Sequence, residues 1–218
     1  MIQGHKKISA RILGALLVAL LAVGLAACGG DDAEESGAGD TKAVEKAFLT
    51  GMTHHHGTAI EMSDIAKEKG KSPFVTGLAD DIISTQELEL GEMKKIYERL
   101  VGGELEPDAM AHDGLGLSAE EAGMTHSPDT NEMLEMADPF DRAFVDEMVP
   151  HHTGAVKMAE VVLESTEDAE LRTLAENIIS TQEREIKEMN DFRTEEYGAP
   201  VPETSGGGGG EHGGGHSG

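Results

Sequence analysis

A repeat constrains this chain more than any other feature. FLTGMTHHHGTAIEM (residues 48–62) and FVDEMVPHHTGAVKM (144–158) share Phe, Met, a His-His pair, Ala and Met in register. The offset of 96 residues also lays IISTQE (82–87) on IISTQE (178–183). It then lays Glu89, Glu92 and Met93 on Glu185, Glu188 and Met189. One period that holds over two separate segments marks a duplicated structural unit. Whatever one half folds into, the other must match, and the two must pack on each other.

The period within each half is helical. Val44, Phe48, Met52, His55, Ala59, Met62 and Ala66 recur at three- and four-residue spacing, the stripe of one helix face. This predicts a first helix from Thr41 to Lys69, with Asp40 as its cap and Gly70 as its stop. Ser72-Pro73 restarts a helix, Ser as cap and Pro at the first position, and that helix reaches about Val101 before Gly102-Gly103. Asp138-Pro139 opens a third helix to about Glu164. Ser165 and Thr166 are the expected caps of a fourth, ending near Tyr197 before Gly198 and Pro200. The expected fold is all-α: an antiparallel four-helix bundle over residues 41–197. It is built from two duplicated hairpins, 41–101 and 138–197, joined by a long crossover at 102–137. Nothing reads as a strand. Ser118 with Glu121 resembles a capping box, so a short helix is expected inside the crossover. Met110, His112, Met124, His126, Met133 and Met136 also lie there.

The ends carry a different signal. Lys6, Lys7 and Arg11 precede the apolar run Ile12–Ala27, the pattern of an export leader too short to count as a spanning helix. Leu25-Ala26-Ala27-Cys28 resembles the bacterial lipoprotein signal, cleaved before a cysteine that then carries lipid. Residues 1–27 are therefore expected to be removed, and Cys28 to anchor the chain to the outer side of the cytoplasmic membrane or the cell envelope. Residues 28–40 read as a disordered acidic tether, and 198–218 as a disordered Gly-rich tail holding His212 and His216. Loss of Lys6, Lys7 and Arg11 with the leader takes the formal charge from −25 to −28. Such a surface repels nucleic acid and argues against a polyanion partner, while drawing cations without selectivity.

Cys28 is the only cysteine, so no disulfide and no thiolate metal site is available. A soft metal could be held only by Met and His. Met is by default a core filler, so placement matters more than number. Placement is suggestive. Met52, His55, Ala59 and Met62 share a core-facing stripe with no interruption, as do Met148, His151, Ala155 and Met158. On the paired helices the matching stripe carries Gln86 and Met93, or Gln182 and Met189, with Glu89 and Glu185 on its flank. Buried polar groups are costly unless paired or liganded. His and Gln at one height in both halves therefore call for a partner. Thioether with imidazole suits copper, Met favouring Cu(I), while imidazole with carboxylate would also serve Cu(II) or Zn(II). Pro150 just before His151-His152, and Gly57 and Gly154 just after the His pairs, add local irregularity beside these residues. His54 has no counterpart, because Pro150 takes its place, and is read as auxiliary. A buried His-Gln-Glu hydrogen-bond network without metal is the competing explanation.

The pattern F-x3-M-x2-HH-x2-A-x2-M, followed by Q-x2-E-x3-M, resembles the bacterial domain of unknown function 305 family over residues 41–197. The resemblance implies a ferritin-like four-helix bundle. It also implies kinship with exported copper-binding proteins of the CopM type, linked to copper tolerance. The ligands it implies are Met52, His55, His56, Met62, Met93, Met148, His151, His152, Met158 and Met189, supported by Gln86, Glu89, Gln182 and Glu185. The resulting expectation is a lipid-anchored protein that sequesters copper or passes it to a partner protein by ligand exchange. The alternatives are a structural envelope lipoprotein and a ferritin-like di-metal oxidoreductase. The last wants Glu-x-x-His on its helices, a motif absent from this sequence, and no nucleophile constellation is present. The chain is therefore not expected to be an enzyme.

Overall fold

The computed structural model describes residues 32–202. The expected leader, Cys28 and nearly all of the Gly-rich tail lie outside the described residues. Within them the chain is all-helical, with no strand. Its elements are α1 (Asp32–Lys69), α2 (Pro73–Leu100), a 3-10 turn at Ala111–Leu115, α3 (Pro128–Met136), α4 (Phe140–Ser165) and α5 (Ala169–Tyr197). None of the described helices is long and apolar enough to cross a membrane.

Local chemistry accounts for most boundaries. The Ser72 hydroxyl accepts a hydrogen bond from Val75 N at 3.1 Å, and Pro73 occupies the first turn, as the sequence predicts. At the far end, Val101 N and Gly102 N both reach Tyr97 O, with Gly102 at φ +84°. α5 ends likewise on left-handed Gly198.

Three expectations need correction. α1 begins at Asp32 and not at Thr41, so Asp40 is helical and caps nothing, and most of the expected tether is helix. The cap of α5 is Asp168, whose Oδ1 accepts from Leu171 N at 2.9 Å; neither Ser165 nor Thr166 serves. In the crossover, Ser118 and Glu121 do form reciprocal bonds (Ser118 N to Glu121 Oε2, 3.0 Å; Glu121 N to Ser118 Oγ, 3.2 Å), but they close only a turn. The crossover's α-helix is instead α3, opened by Ser127-Pro128 with Thr130 reaching back to Ser127 N.

α1 packs along α2, and α4 along α5; α1 also meets α4, and α2 meets α5. The core splits into two apolar clusters. One holds Phe48, Leu49 and Met52 of α1, Met93 to Tyr97 of α2, Ala155 to Val162 of α4 and Leu171 to Ile178 of α5. The other holds Ala59 to Ala66 of α1, Val75 to Ile82 of α2, Phe140 to Val149 of α4 and Met189 of α5. On each long helix, the His, Gln and Glu residues fall between the two clusters. The polar residues therefore form a layer midway along the helices, with apolar core on both sides. α4 runs unbroken through Pro150, so its lost backbone donor does not end the helix.

The two halves fasten each other's turns. The carboxylate of Asp141, at the start of α4, accepts from Lys71 N and Ser72 N, both at 2.8 Å, in the α1–α2 turn. Its counterpart in the repeat, Glu45, accepts from the Thr166 hydroxyl at 2.6 Å in the α4–α5 turn. Both acids are buried. Arg99, at the end of α2, adds a two-pronged bond to Asp168 at 2.6 and 2.8 Å, which holds that carboxyl down at about 2.

Asp141→Ala should therefore destabilise the protein by about 1–3 kcal/mol in urea unfolding, since it strands two backbone donors. Asp191→Ala, which removes only an exposed pair with Lys187, should change stability by less than about 0.5 kcal/mol.

Candidate metal centre

α1 and α4 each present two adjacent histidines to the polar layer, and all four are buried. His55 and His151 meet across the interface, with ring centroids 3.7 Å apart and planes tilted by 39°. Their partners on the same helices lie farther off, at 6.4 Å from His55 to His56 and 6.3 Å from His151 to His152. Each outer histidine leans on the paired helix of its own hairpin. His56 Nε2 is 2.7 Å from Glu89 Oε2, and His152 Nε2 is 2.9 Å from Glu185 Oε2. The repeat thus builds the same imidazole–carboxylate pair twice. His55 breaks the symmetry, its Nε2 lying 3.0 Å from the backbone carbonyl of His151.

These contacts set the tautomers. A carboxylate or a carbonyl only accepts, so the Nε2–H of His55, His56 and His152 donates. In the neutral ring the lone pair then falls on Nδ1. Nδ1 of all four histidines is buried without a hydrogen-bond partner, as are both amide atoms of Gln86 and of Gln182. An unsatisfied buried polar atom costs about 1–3 kcal/mol. Among these eight atoms, the Nδ1 of His55, His56 and His152 are lone-pair nitrogens whose opposite ring edge is fixed by an acceptor, the arrangement that orients metal-binding imidazoles, and the two Gln carbonyl oxygens are further lone-pair atoms in the same layer. Burial, then the charges of His56 and His152, holds His55 well below the usual histidine range. Burial, then His55 and His152, does the same to His151. Both rings are therefore neutral at pH 7, and no proton competes for the lone pair.

The sequence-predicted thioethers are all fully buried but do not form one group. Met52, Met93 and Met158 belong to one apolar cluster, and Met62, Met148 and Met189 to the other. Each triad takes two members from one half of the repeat and one from the other, so the methionines flank the polar layer on both sides. Met93 Sδ lies 3.9 Å from the Thr53 hydroxyl. Among the described residues, no group of three or more His, Cys, Asp or Glu is arranged to hold an ion. His54 is only partly buried and lines a surface cleft.

The sequence did not reveal the part played by the crossover. Its turn at Ala122–Gly123 seats directly on Gly154 of α4. A Cβ on Gly154 would lie 2.2 Å from Ala122 C and Gly123 N. A Cβ on Gly123, which has φ +65°, would lie 2.7 Å from His151 O and 3.2 Å from His55 Nε2. Two glycines thus allow the crossover to lie against the His55–His151 contact. Gly154 was noted for its place after the His pair, but its opposite number in the crossover carried no local signal.

A duplicated helical scaffold enclosing a layer of imidazole, amide and carboxylate groups is the class of protein defined here. The chain belongs to the family described as Domain of unknown function (DUF305), which it matches over residues 45–193. It is similar to the solved structure of CopM in the Cu(I)-bound form: 32% identity, TM-score 0.59, covering 71% of this chain and 98% of that one. CopM in the Cu(II)-bound form matches at 31% identity, TM-score 0.58, over 70% and 97%. A putative secreted DUF305 protein from Streptomyces coelicolor, at 24% identity and TM-score 0.64 over 74% and 98%, shares the fold. Over 55 residues the chain is 36% identical to the Uncharacterized protein L153 of Acanthamoeba polyphaga mimivirus. That match is 25% of this chain, which spans 36% of the relative's length.

The depressed histidines fix a pH dependence for the metal-free protein. The unfolded chain protonates these rings near pH 6.5, whereas the folded chain does not, so the unfolded state takes up more protons as pH falls. Urea stability should decline as the pH falls below about 6.5, where the unfolded rings begin to take up protons that the folded ones do not. The paired variant His55→Gln, His151→Gln should lose most of that slope.

Proposed function

We propose that this protein binds copper within its helical core and either sequesters it or passes it on. The observation that carries this reading is the set of four buried Nδ1 atoms without partners, three of them in rings whose opposite nitrogen is already fixed. Ligation is read as drawing on softer donors beside the imidazoles. The six buried thioethers flanking the layer supply them. In this reading His55, His56, His151 and His152 bind with Met52, Met62, Met93, Met148, Met158 and Met189, while Gln86, Glu89, Gln182 and Glu185 orient them. A thioether and imidazole set favours Cu(I), with Cu(II) and Zn(II) as weaker candidates. The similarity to CopM, solved with both copper oxidation states, supports the same choice.

The four long helices are read as an antiparallel four-helix bundle of the ferritin-like type, because each lies against two others and the polar layer crosses them all. The chain is read as exported, with Cys28 carrying the lipid that holds it outside the cytoplasmic membrane. A copper-transfer protein is its natural partner. The work is ligand exchange and needs no catalytic base, so the protein is read as a binding protein and not an enzyme.

Competition with a colourimetric Cu(I) chelator under reducing conditions tests the reading. Wild type should retain copper, and His55→Ala with His151→Ala should weaken binding at least about tenfold. Glu89→Gln with Glu185→Gln should cost about 10–100-fold by loosening the imidazoles. A helical wild-type protein that retains no copper would return the layer to a purely structural role.

A further inference from the structure

The crossover passes one histidine between two surface clefts. His126 lines the larger cleft, of about 740 Å³, together with Glu120, Glu121, Asp146, Glu147 and His151. It also lines the smaller one, where His54 and Glu61 lie. Among the four buried histidines, His151 alone borders either cleft. Solvent thus reaches the edge of the buried layer at His151, and His126 stands beside that opening.

Its hydrogen bonds fix which nitrogen of His126 is available. Asn131 Nδ2 donates to Glu61 Oε2 at 3.3 Å. A carboxylate only accepts, so the amide must turn its NH₂ toward Glu61 and its carbonyl toward His126. Asn131 Oδ1 is 2.8 Å from His126 Nε2, so that nitrogen carries the proton. In the neutral ring the lone pair sits on Nδ1, and none of the described hydrogen bonds uses it. A carboxylate on α1 and an amide on α3 therefore hold this ring as acceptors hold a metal-binding imidazole. Asp146 is paired with Arg142 and Arg193, but Glu120, Glu121 and Glu147 outnumber Lys157, the one Lys or Arg lining the cleft, and raise the local concentration of cations. Met124, two residues earlier, packs against the cluster that contains Met52, Met93 and Met158, so the same crossover runs from the cleft to the buried thioethers.

We infer that His126 is a metal-ligating residue at the mouth of the larger cleft, where its Nδ1 captures a copper ion before transfer to the buried histidines. This assignment rests on the copper reading above. It makes the crossover part of the uptake route and gives Asn131 and Glu61 the role of positioning residues.

Transfer of Cu(I) from its bathocuproine complex to the full chain, followed by loss of the chelate's absorbance, gives both a loading rate and an equilibrium affinity. His126→Ala should slow loading about tenfold or more and leave the affinity within about threefold of wild type. His126→Met should restore most of the rate, because a thioether also takes Cu(I), whereas His126→Phe should not. Asn131→Leu should slow loading to a lesser degree. Substoichiometric Ag(I) should shift the ¹⁵N resonance of His126 Nδ1 in the wild-type chain, a readout independent of variant folding. A wild type that loads, with His126→Ala loading at the same rate and the Nδ1 resonance unmoved, overturns this assignment alone. A wild type that takes no Cu(I) overturns the core reading and this one together.

Discussion

Everything in this molecule depends on keeping a polar layer in the middle of an apolar core. Four imidazoles, two amides and two carboxylates lie between two clusters of methionine, phenylalanine and aliphatic residues. Such a layer cannot be left to find its own arrangement, because each unmatched group weakens the fold. The structure restrains it from the outside. Glu89 and Glu185 reach in from the second helix of each hairpin to hold His56 and His152. The His151 carbonyl holds His55. What remains is an unmatched Nδ1 on every ring, and in His55, His56 and His152 it is set by the same contacts that fix the ring in place.

The duplication makes this possible at small cost in sequence. Asp141 and Glu45 occupy equivalent positions, and each grips the turn of the opposite hairpin. The halves are therefore registered along their length by two reciprocal contacts at the ends, three hydrogen bonds in all. That registration brings the His-bearing stretches of α1 and α4 to the same height. A slip by one helical turn would move His55 away from His151 and leave the acids unpaired at once, so register and site are coupled.

The long helices were legible because a three-to-four spacing of apolar residues, Ser72-Pro73 and Gly198 are local signals that tertiary context did not override. The start of α1 was not, because Gly37, Gly39 and a run of acids read as a tether. α3 was overlooked although Ser127-Pro128 repeats the signature that marked α2; its short apolar content, essentially Leu134, gave no stripe to notice. At the site, the repeat pointed to His55, His151, Gln86 and Gln182 and to the carboxylates beside them. It could not reveal that the methionines divide into two triads. That division depends on which helix lies opposite which, a property of packing and not of either segment. Nor could it reveal that Gly123 meets Gly154, because contact between residues far apart in sequence leaves no period.

The meeting of Gly123 and Gly154 has a further consequence. Two identical hairpins paired as separate chains would present the same surroundings to both of their histidine clusters. Joining them by one crossover removes that equality. The crossover turn seats against Gly154, while the matching position in the first half is Thr58, which carries a side chain, and the two positions border different clefts. The fused molecule thus has a front and a back. Its halves are free to diverge in what surrounds each histidine pair, a freedom unavailable to a symmetric pair.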